Sequence, residues 1–352
     1  MDYLRPSLLD LQPYESIAAP HAAKLDANEY PADLPEWFKK KLSLVWEKGI
    51  PSHRYPDGNH RSLKRAIASY AGVDPNQISI GNGSDELIRS LLIATCLEQR
   101  GSILVATPTF SMYAIVARTL GVPVVSIPRH HETFACDIAA CQRAIAEDEI
   151  RAVFLVSPNS PTGTPVAAET WDWARSLPES ILVVVDEAYF EFTGKTVVAE
   201  LARHPNWVVL RTFSKAFRLA AHRVGYAIAN PALIRVLEAI RLPYNLPTLS
   251  QWAVQLALEN ADELLAGVPP LLRERDRLYA ALQGMPGVRV WPSAANFLYW
   301  RADGWDLDDL QQALARSGTA IRHTGGGLRL TVGTPAENDG FISGLQAVLS
   351  GS

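Results

Sequence analysis

Apolar positions in this chain follow two alternating rhythms. Runs such as VFLV (Val153 to Val156) and LVVV (Leu182 to Val185) are apolar at every position, as in strands buried on both faces of a parallel sheet. Segments with helical spacing separate them. Strands are predicted over Ile78 to Ile80, Ile103 to Ala106, Val122 to Ile127, Ala152 to Val156, Ile181 to Asp186 and Trp207 to Arg211. Helices are predicted over Ser62 to Tyr70, Ser84 to Glu98 and Ser111 to Leu120. Such alternation implies a doubly wound α/β domain with a large, mostly parallel sheet.

The flanks read differently. Residues 1 to about 45 form an arm rich in proline and polar residues, with a short helix near Leu34 to Trp46. After residue 250 comes a long helical stretch, Leu249 to about Leu282, broken at Val268-Pro269-Pro270. Strands Val288 to Trp291 and Phe297 to Trp300, a helix near Leu307 to Ser317 and a strand Leu328 to Val332 follow. The predicted division is therefore a large domain over 46–250, a smaller α+β domain over 251–352, and an arm (1–45) that joins the smaller one.

Length and charge narrow the partners. At 352 residues the chain exceeds one ordinary domain. A net charge of −4 and a pI near 6.1 speak against a nucleic-acid surface. No run reaches the ~18 apolar residues of a membrane helix, and no signal peptide is visible at the start. Cys96, Cys136 and Cys141 lack metal-type spacing, and an odd number excludes a fully paired disulfide framework. A reducing cytoplasm fits these features. His130-His131 has no further ligands in view, so no metal is expected. Trp171 and Trp173, at i and i+2, cannot share a helix face and need no functional reading.

Four segments carry chemistry. Thr212-Phe213-Ser214-Lys215 follows an apolar strand, and Arg223 comes eight residues later. A lysine there can form an imine with an aldehyde cofactor; Thr212, Ser214 and Arg223 can hold a phosphate. The bland reading is a surface lysine beside an N-cap serine. Asp186, in VVVDEAY, ends a buried strand where open α/β sheets bind ligands. It could pair with a protonated pyridine nitrogen, and Tyr189 could donate to a ring hydroxyl. A Walker-B acid is excluded, because no GxxxxGK[ST] loop accompanies it. Ser157-Pro158-Asn159-Ser160-Pro161-Thr162-Gly163 is a rigid turn that can aim Asn159 at a ligand, or simply a proline-rich loop. Gly81-Asn82-Gly83-Ser84-Asp85-Glu86 joins a strand to a helix whose N-terminus favours a phosphate. Glu86 sits where a dinucleotide fingerprint needs its third glycine. All four segments fall at strand ends, so one crevice can gather them.

Their order resembles that of fold-type-I pyridoxal-phosphate (PLP) aminotransferases, and most of all the histidinol-phosphate aminotransferase family. The likeness covers nearly the whole chain: Pro13-Tyr14-Glu15-Ser16, LDANEYP (Leu25 to Pro31), Arg54-Tyr55-Pro56, GNGSDE, Pro108-Thr109-Phe110-Ser111-Met112-Tyr113, SPNSPTG, VVDEAYFEF, TFSKAFRLA, Ala294-Ala295-Asn296-Phe297 and LRLTVGT (Leu328 to Thr334). The resemblance implies that Lys215 binds PLP covalently and then serves as general base, with Asp186 at the ring nitrogen and Asn159 and Tyr189 at the ring oxygen. Phe110 would stack on the ring. Ser84, Asp85, Ser214 and Arg223 would hold the phosphate. Tyr55 would reach the phosphate site of a neighbouring subunit, which implies a homodimer. Arg329 would grip the substrate's anionic group, and Tyr14 and Arg322 the phosphate of histidinol phosphate. The implied reaction is ping-pong transfer of an amine to 2-oxoglutarate, giving glutamate. The chain departs from the pattern at Ala221-His222, before Arg223, where the family usually has Gly-Leu, and at Ser160, where it usually has a second asparagine. An aromatic amino acid aminotransferase or a threonine-phosphate decarboxylase would fit the same scaffold. A non-catalytic binding protein that has kept the fold is the more remote alternative.

Overall fold

The computed structural model describes residues 3–9 and 22–350. Its strands, in chain order, are β1 (Ala23–Lys24), β2 (Ile78–Asn82), β3 (Ser102–Thr107), β4 (Val124–Pro128), β5 (Ile150–Val156), β6 (Leu182–Asp186), β7 (Trp207–Thr212) and β8 (Val224–Ala229). The C-terminal part adds β9 (Val288–Trp291), β10 (Phe297–Ala302), β11 (Thr319–Ala320), β12 (Arg322–Thr324) and β13 (Gly327–Thr331).

Seven strands form the large sheet in the order β2-β8-β7-β6-β5-β3-β4. Strands β3 to β7 pair in parallel, and β8 runs antiparallel to both β2 and β7. The uninterrupted apolar runs follow from burial on both faces. Val153, Leu155, Val183, Val185 and Val209 enter one core cluster, whereas Phe154, Val156, Val184, Val208 and Leu210 enter the other. Alternation of side chains along a strand puts successive residues on opposite faces, so both parities must be apolar. Full burial of each such side chain contributes roughly 1.5–3 kcal/mol.

Strand β8 was not predicted from the pattern. Its reversed direction matters for the site, because it begins at the edge where the parallel strands end. Arg223 therefore arrives at the same edge as Asp186 and Lys215.

The second sheet, in the order β12-β13-β10-β9, is antiparallel throughout. Its core contains Phe297, Leu298, Trp300, Leu328, Leu330, Phe341 and Leu345, joined by Ala23 and Leu25 from the arm. Short parallel pairing of β1 with β11 fastens that arm. The helical stretch does break at Val268-Pro269-Pro270, which opens a new helix: helices span Thr248–Glu259, Ala261–Leu265 and Val268–Gln283. First-turn N–H groups have no intrahelical partner, so prolines cost nothing there. Helices Ile138–Glu147, Ala168–Arg175, Pro231–Ile240 and Pro335–Ser350 were also not predicted. Among the described residues no helix is long and apolar enough to cross a membrane.

Candidate active site

A cavity of about 490 Å³ opens at the C-terminal edge of the large sheet, and the second sheet contributes part of its wall. At its floor, the end of β6 presents Asp186. The Asp186 carboxylate is 3% exposed, and it accepts hydrogen bonds from the Tyr113 hydroxyl at 2.6 Å and the Ala188 N–H at 3.0 Å. Neither donor is charged, and burial pushes its pKa up to about 6. A cation placed against this acid would restore its ionised form.

Lys215 lies just past the end of β7 and lines the same cavity. Its amine donates to the Ala27 carbonyl at 2.9 Å. Burial, assisted by Arg329, pulls its pKa down to about 8, so a useful fraction of the amine is neutral near physiological pH and able to act as a nucleophile or base. Beside it Tyr189, almost fully buried, accepts from the Asn28 amide at 2.8 Å.

The end of the cavity beside Arg223 is built by close backbone approach. Gly83, at φ +75°, opens the helix Gly83–Cys96, and a Cβ on it would lie 2.5 Å from a terminal nitrogen of Arg223. A Cβ on Gly225 would lie 2.5 Å from the Ser84 nitrogen. A glycine at 225 admits this backbone contact between β8 and the helix start, and the positive φ of Gly83 favours glycine there. Arg223 reaches Asp85 at 3.3 Å and the Ser214 hydroxyl at 3.4 Å, while Thr212 donates to Ser214 at 2.9 Å. Ser84, Asp85, Thr212, Ser214 and Arg223 thus share one wall. Helix N–H groups, hydroxyls and a guanidinium at one place suit a phosphate.

Strands β12 and β13 form the opposite wall. Arg322 and Arg329 are directly paired across the ladder, and both line the cavity. Arg329 also donates to the Ser160 hydroxyl at 3.1 Å and the Asp26 carbonyl at 2.6 Å.

Two of the remaining predicted residues stand elsewhere. Asn159 is buried but absent from the cavity wall. Its amide donates to Pro108 O at 3.1 Å and Thr162 Oγ1 at 2.8 Å, and it accepts from Thr109 at 3.0 Å. Its polar groups therefore brace the wall from behind. Tyr55 is 80% exposed and stacks on Tyr244 at 4.5 Å, away from the cavity. Tyr14 falls outside the described residues. Phe110 does line the cavity, edge-on to Tyr113 at 5.5 Å. Neither Ala221 nor His222 lines it.

The sequence reading missed Tyr113 and Asn28. Tyr113 sits in the quoted PTFSMY run, three residues after Phe110, and Asn28 in LDANEYP. Asn28, at φ 54°, is fully buried, and its backbone N–H donates to Thr331 at 2.9 Å. Both runs signalled the neighbourhood without signalling which side chain turns inward.

The family model for aminotransferase class I and II matches residues 20–345. The chain belongs to that family. Membership makes it a PLP-dependent transaminase of fold type I. It is 65% identical over 347 residues to a histidinol-phosphate aminotransferase from Synechococcus sp. (strain JA-3-3Ab), covering 99% of this chain and 98% of the relative. Identity to the enzyme of that name from Thermosynechococcus vestitus is 51%, covering 99% and 97%. The structure of histidinol-phosphate aminotransferase from Sinorhizobium meliloti, solved in complex with pyridoxal-5′-phosphate, superposes with a TM-score of 0.87 at 24% identity, covering 100% of this chain and 98% of that one. L-threonine-O-3-phosphate decarboxylase from Porphyromonas gingivalis shares the fold at a TM-score of 0.80 and 22% identity, covering 93% and 99%. The residues present fit PLP: a low-pKa amine, a buried acid awaiting a cation, and a cradle that a single Cβ would fill.

Proposed function

We propose that the chain exchanges an amino group between histidinol phosphate and 2-oxoglutarate, working as a cytoplasmic homodimer. The observation that carries the substrate assignment is the cross-strand pair Arg322 and Arg329 on the cavity wall. Two guanidinium groups there suit a phosphate dianion in one half-reaction and the carboxylates of 2-oxoglutarate in the other. The 65% identity to an enzyme named for the same reaction supports this reading.

Each side chain then has a task. Ser84, Asp85 through its backbone N–H, Ser214 and Arg223 hold the cofactor phosphate. Asp186 would keep the ring nitrogen protonated, Tyr189 would serve the ring oxygen, and Phe110 would pack on the ring. Asn159 keeps this wall in place through Thr109 and Pro108. PLP, when bound, supplies an electron sink for the pair released at the substrate's Cα. Lys215 would anchor the cofactor, and its Nζ would be the base that takes the Cα proton; a positioned base contributes ~10²–10⁴-fold. Residues 46–250 are read as the cofactor-binding domain, with the arm and residues 251–352 as the smaller domain. Tyr55, exposed on its own subunit, would complete the phosphate site of a second one. Tyr14 would assist Arg322 at the substrate phosphate.

A single-turnover titration tests the assignment, following the absorbance of the bound cofactor. Histidinol phosphate should convert the band at far lower concentration than phenylalanine or O-phosphothreonine, and Arg322→Ala should weaken it by on the order of 2–5 kcal/mol. Preference for phenylalanine would remove the phosphate role from Arg322. Lys215→Ala should abolish the band of covalently held cofactor.

A further inference from the structure

Two of the three cysteines meet away from the cavity. The sulfurs of Cys136 and Cys141 lie 3.5 Å apart. Both are free thiols, Cys141 fully buried and Cys136 half-buried. Cys136 ends the loop after β4, and Cys141 lies in the helix Ile138–Glu147, whose first turn is capped by Asp137 at 2.9 Å. A disulfide bond spans ~2.05 Å, so closure requires the sulfurs to approach by only about 1.5 Å. Cys96, the third cysteine, lies on the helix Gly83–Cys96, its sulfur 3.3 Å from the Thr95 hydroxyl.

We propose that Cys136 and Cys141 form a reversible dithiol/disulfide site that exchanges with small-molecule or protein disulfides. The pair divides the work. The two sulfurs share a hydrogen bond and the Arg129 guanidinium adds a favourable charge, so Cys136 ionises more readily than an ordinary thiol. Cys141 is held in its protonated form by that same contact and by burial. The half-buried Cys136 thiolate attacks one sulfur of the incoming disulfide and expels the other as a thiolate. Cys141, losing its proton to that leaving group, then attacks the Cys136 sulfur and expels the second thiolate, which takes up the Cys136 proton from solvent. Two S–H bonds are lost and one S–S bond forms, while the incoming disulfide is reduced to two thiols.

The bond would tether a loop that matters to the fold. Arg129 donates to Ala106 O at 3.0 Å and Phe134 O at 3.2 Å. Phe134 packs on Trp291 and Tyr299, with ring centroids at 5.0 and 5.5 Å. Tyr299 in turn donates to Thr324 O and Gly325 O, beside Arg322. The crosslink would therefore stiffen a contact between the edge of the large sheet and the second sheet.

The test equilibrates holoenzyme with mixtures of oxidised and reduced dithiothreitol, quenches in acid, alkylates under denaturing conditions and counts thiols by intact mass. Labelled thiols should fall from three to one in a single two-electron transition, with peptide mapping joining Cys136 to Cys141. Cys96→Ser should keep the transition; Cys136→Ser and Cys141→Ser should each remove it. Three labelled thiols at every ratio, or a transition surviving either of those last two variants, would overturn the assignment.

Discussion

Asp186 and Glu187 are chain neighbours at the end of β6, yet their surroundings are opposite. Glu187, 2% exposed, is enclosed by partners. It binds Arg211 at 2.9–3.0 Å, the Thr196 hydroxyl at 2.9 Å and the Val197 N–H at 2.8 Å, while Arg211 also lies 3.6 Å over the Phe190 ring. Asp186 is just as buried, but its two hydrogen bonds come from neutral donors and its pKa is raised to about 6. One acid has its counter-charge built into the protein; the other has only neutral donors and faces the cavity. Burial alone does not separate structural from functional acids. The identity of the partners does.

The largest expected effect lies on the structural side. Glu187→Ala removes the carboxylate that ion-pairs with the buried Arg211, so unfolding free energy measured in urea should fall by roughly 3–5 kcal/mol, with kcat/KM of the folded enzyme within a few-fold of wild type. Asp186→Asn should invert this pattern. Its kcat/KM for histidinol phosphate should drop by at least ~10²-fold without loss of stability. If both variants lost activity and stability alike, the contrast between the two acids would collapse.

A pH experiment sharpens the same contrast. Because the folded Asp186 carboxyl titrates near 6 rather than at its ordinary 3.8, the folded chain binds a proton across that window that the unfolded chain has released. Stability from Asp186 is thus fully present below pH 3.8 and lost as pH rises through about 6. On protein stripped of cofactor, wild type should lose on the order of 3 kcal/mol relative to Asp186→Asn across that window. Equal pH profiles for the two proteins would show that Asp186 ionises normally.

The legibility of these features in the sequence differs for physical reasons. Strands β5 and β6 were plain because double burial writes itself as an unbroken apolar run, and Asp186 was plain because it ends such a run. Arg223 was named, but its position was not, since that depends on β8 running antiparallel. Pairing direction is a long-range property that no local pattern carries. Strand β12 is three half-buried residues long and has no periodicity to read. Asn159 was recognised in a turn built to aim a side chain, yet whether that side chain faces the cavity or the wall behind depends on Thr109 and Pro108, some fifty positions away. Tyr113 was quoted only as the last residue of the PTFSMY run, and the 2.6 Å contact to Asp186 is what distinguishes it.

That contact supports the smallest prediction. In Tyr113→Phe the ring keeps its stacking on Phe154 at 4.5 Å and its edge contact with Phe110, so packing is preserved and only the O–H donor is lost. A hydrogen bond to a charged acceptor contributes about 1.5–3 kcal/mol, and kcat/KM should fall about tenfold if the lower value applies. The direction of the pH shift is also set. Tyr113 lowers the Asp186 pKa against the upward push of burial, so removing the donor should move the acid limb of kcat/KM to higher pH. A tenfold loss with an unmoved acid limb would mean that Tyr113 acts by shaping the cavity, whereas a moved limb means that it sets the charge of Asp186. The second outcome is the one the geometry demands, because the hydroxyl that is removed touches the carboxylate and the ring that remains holds the shape.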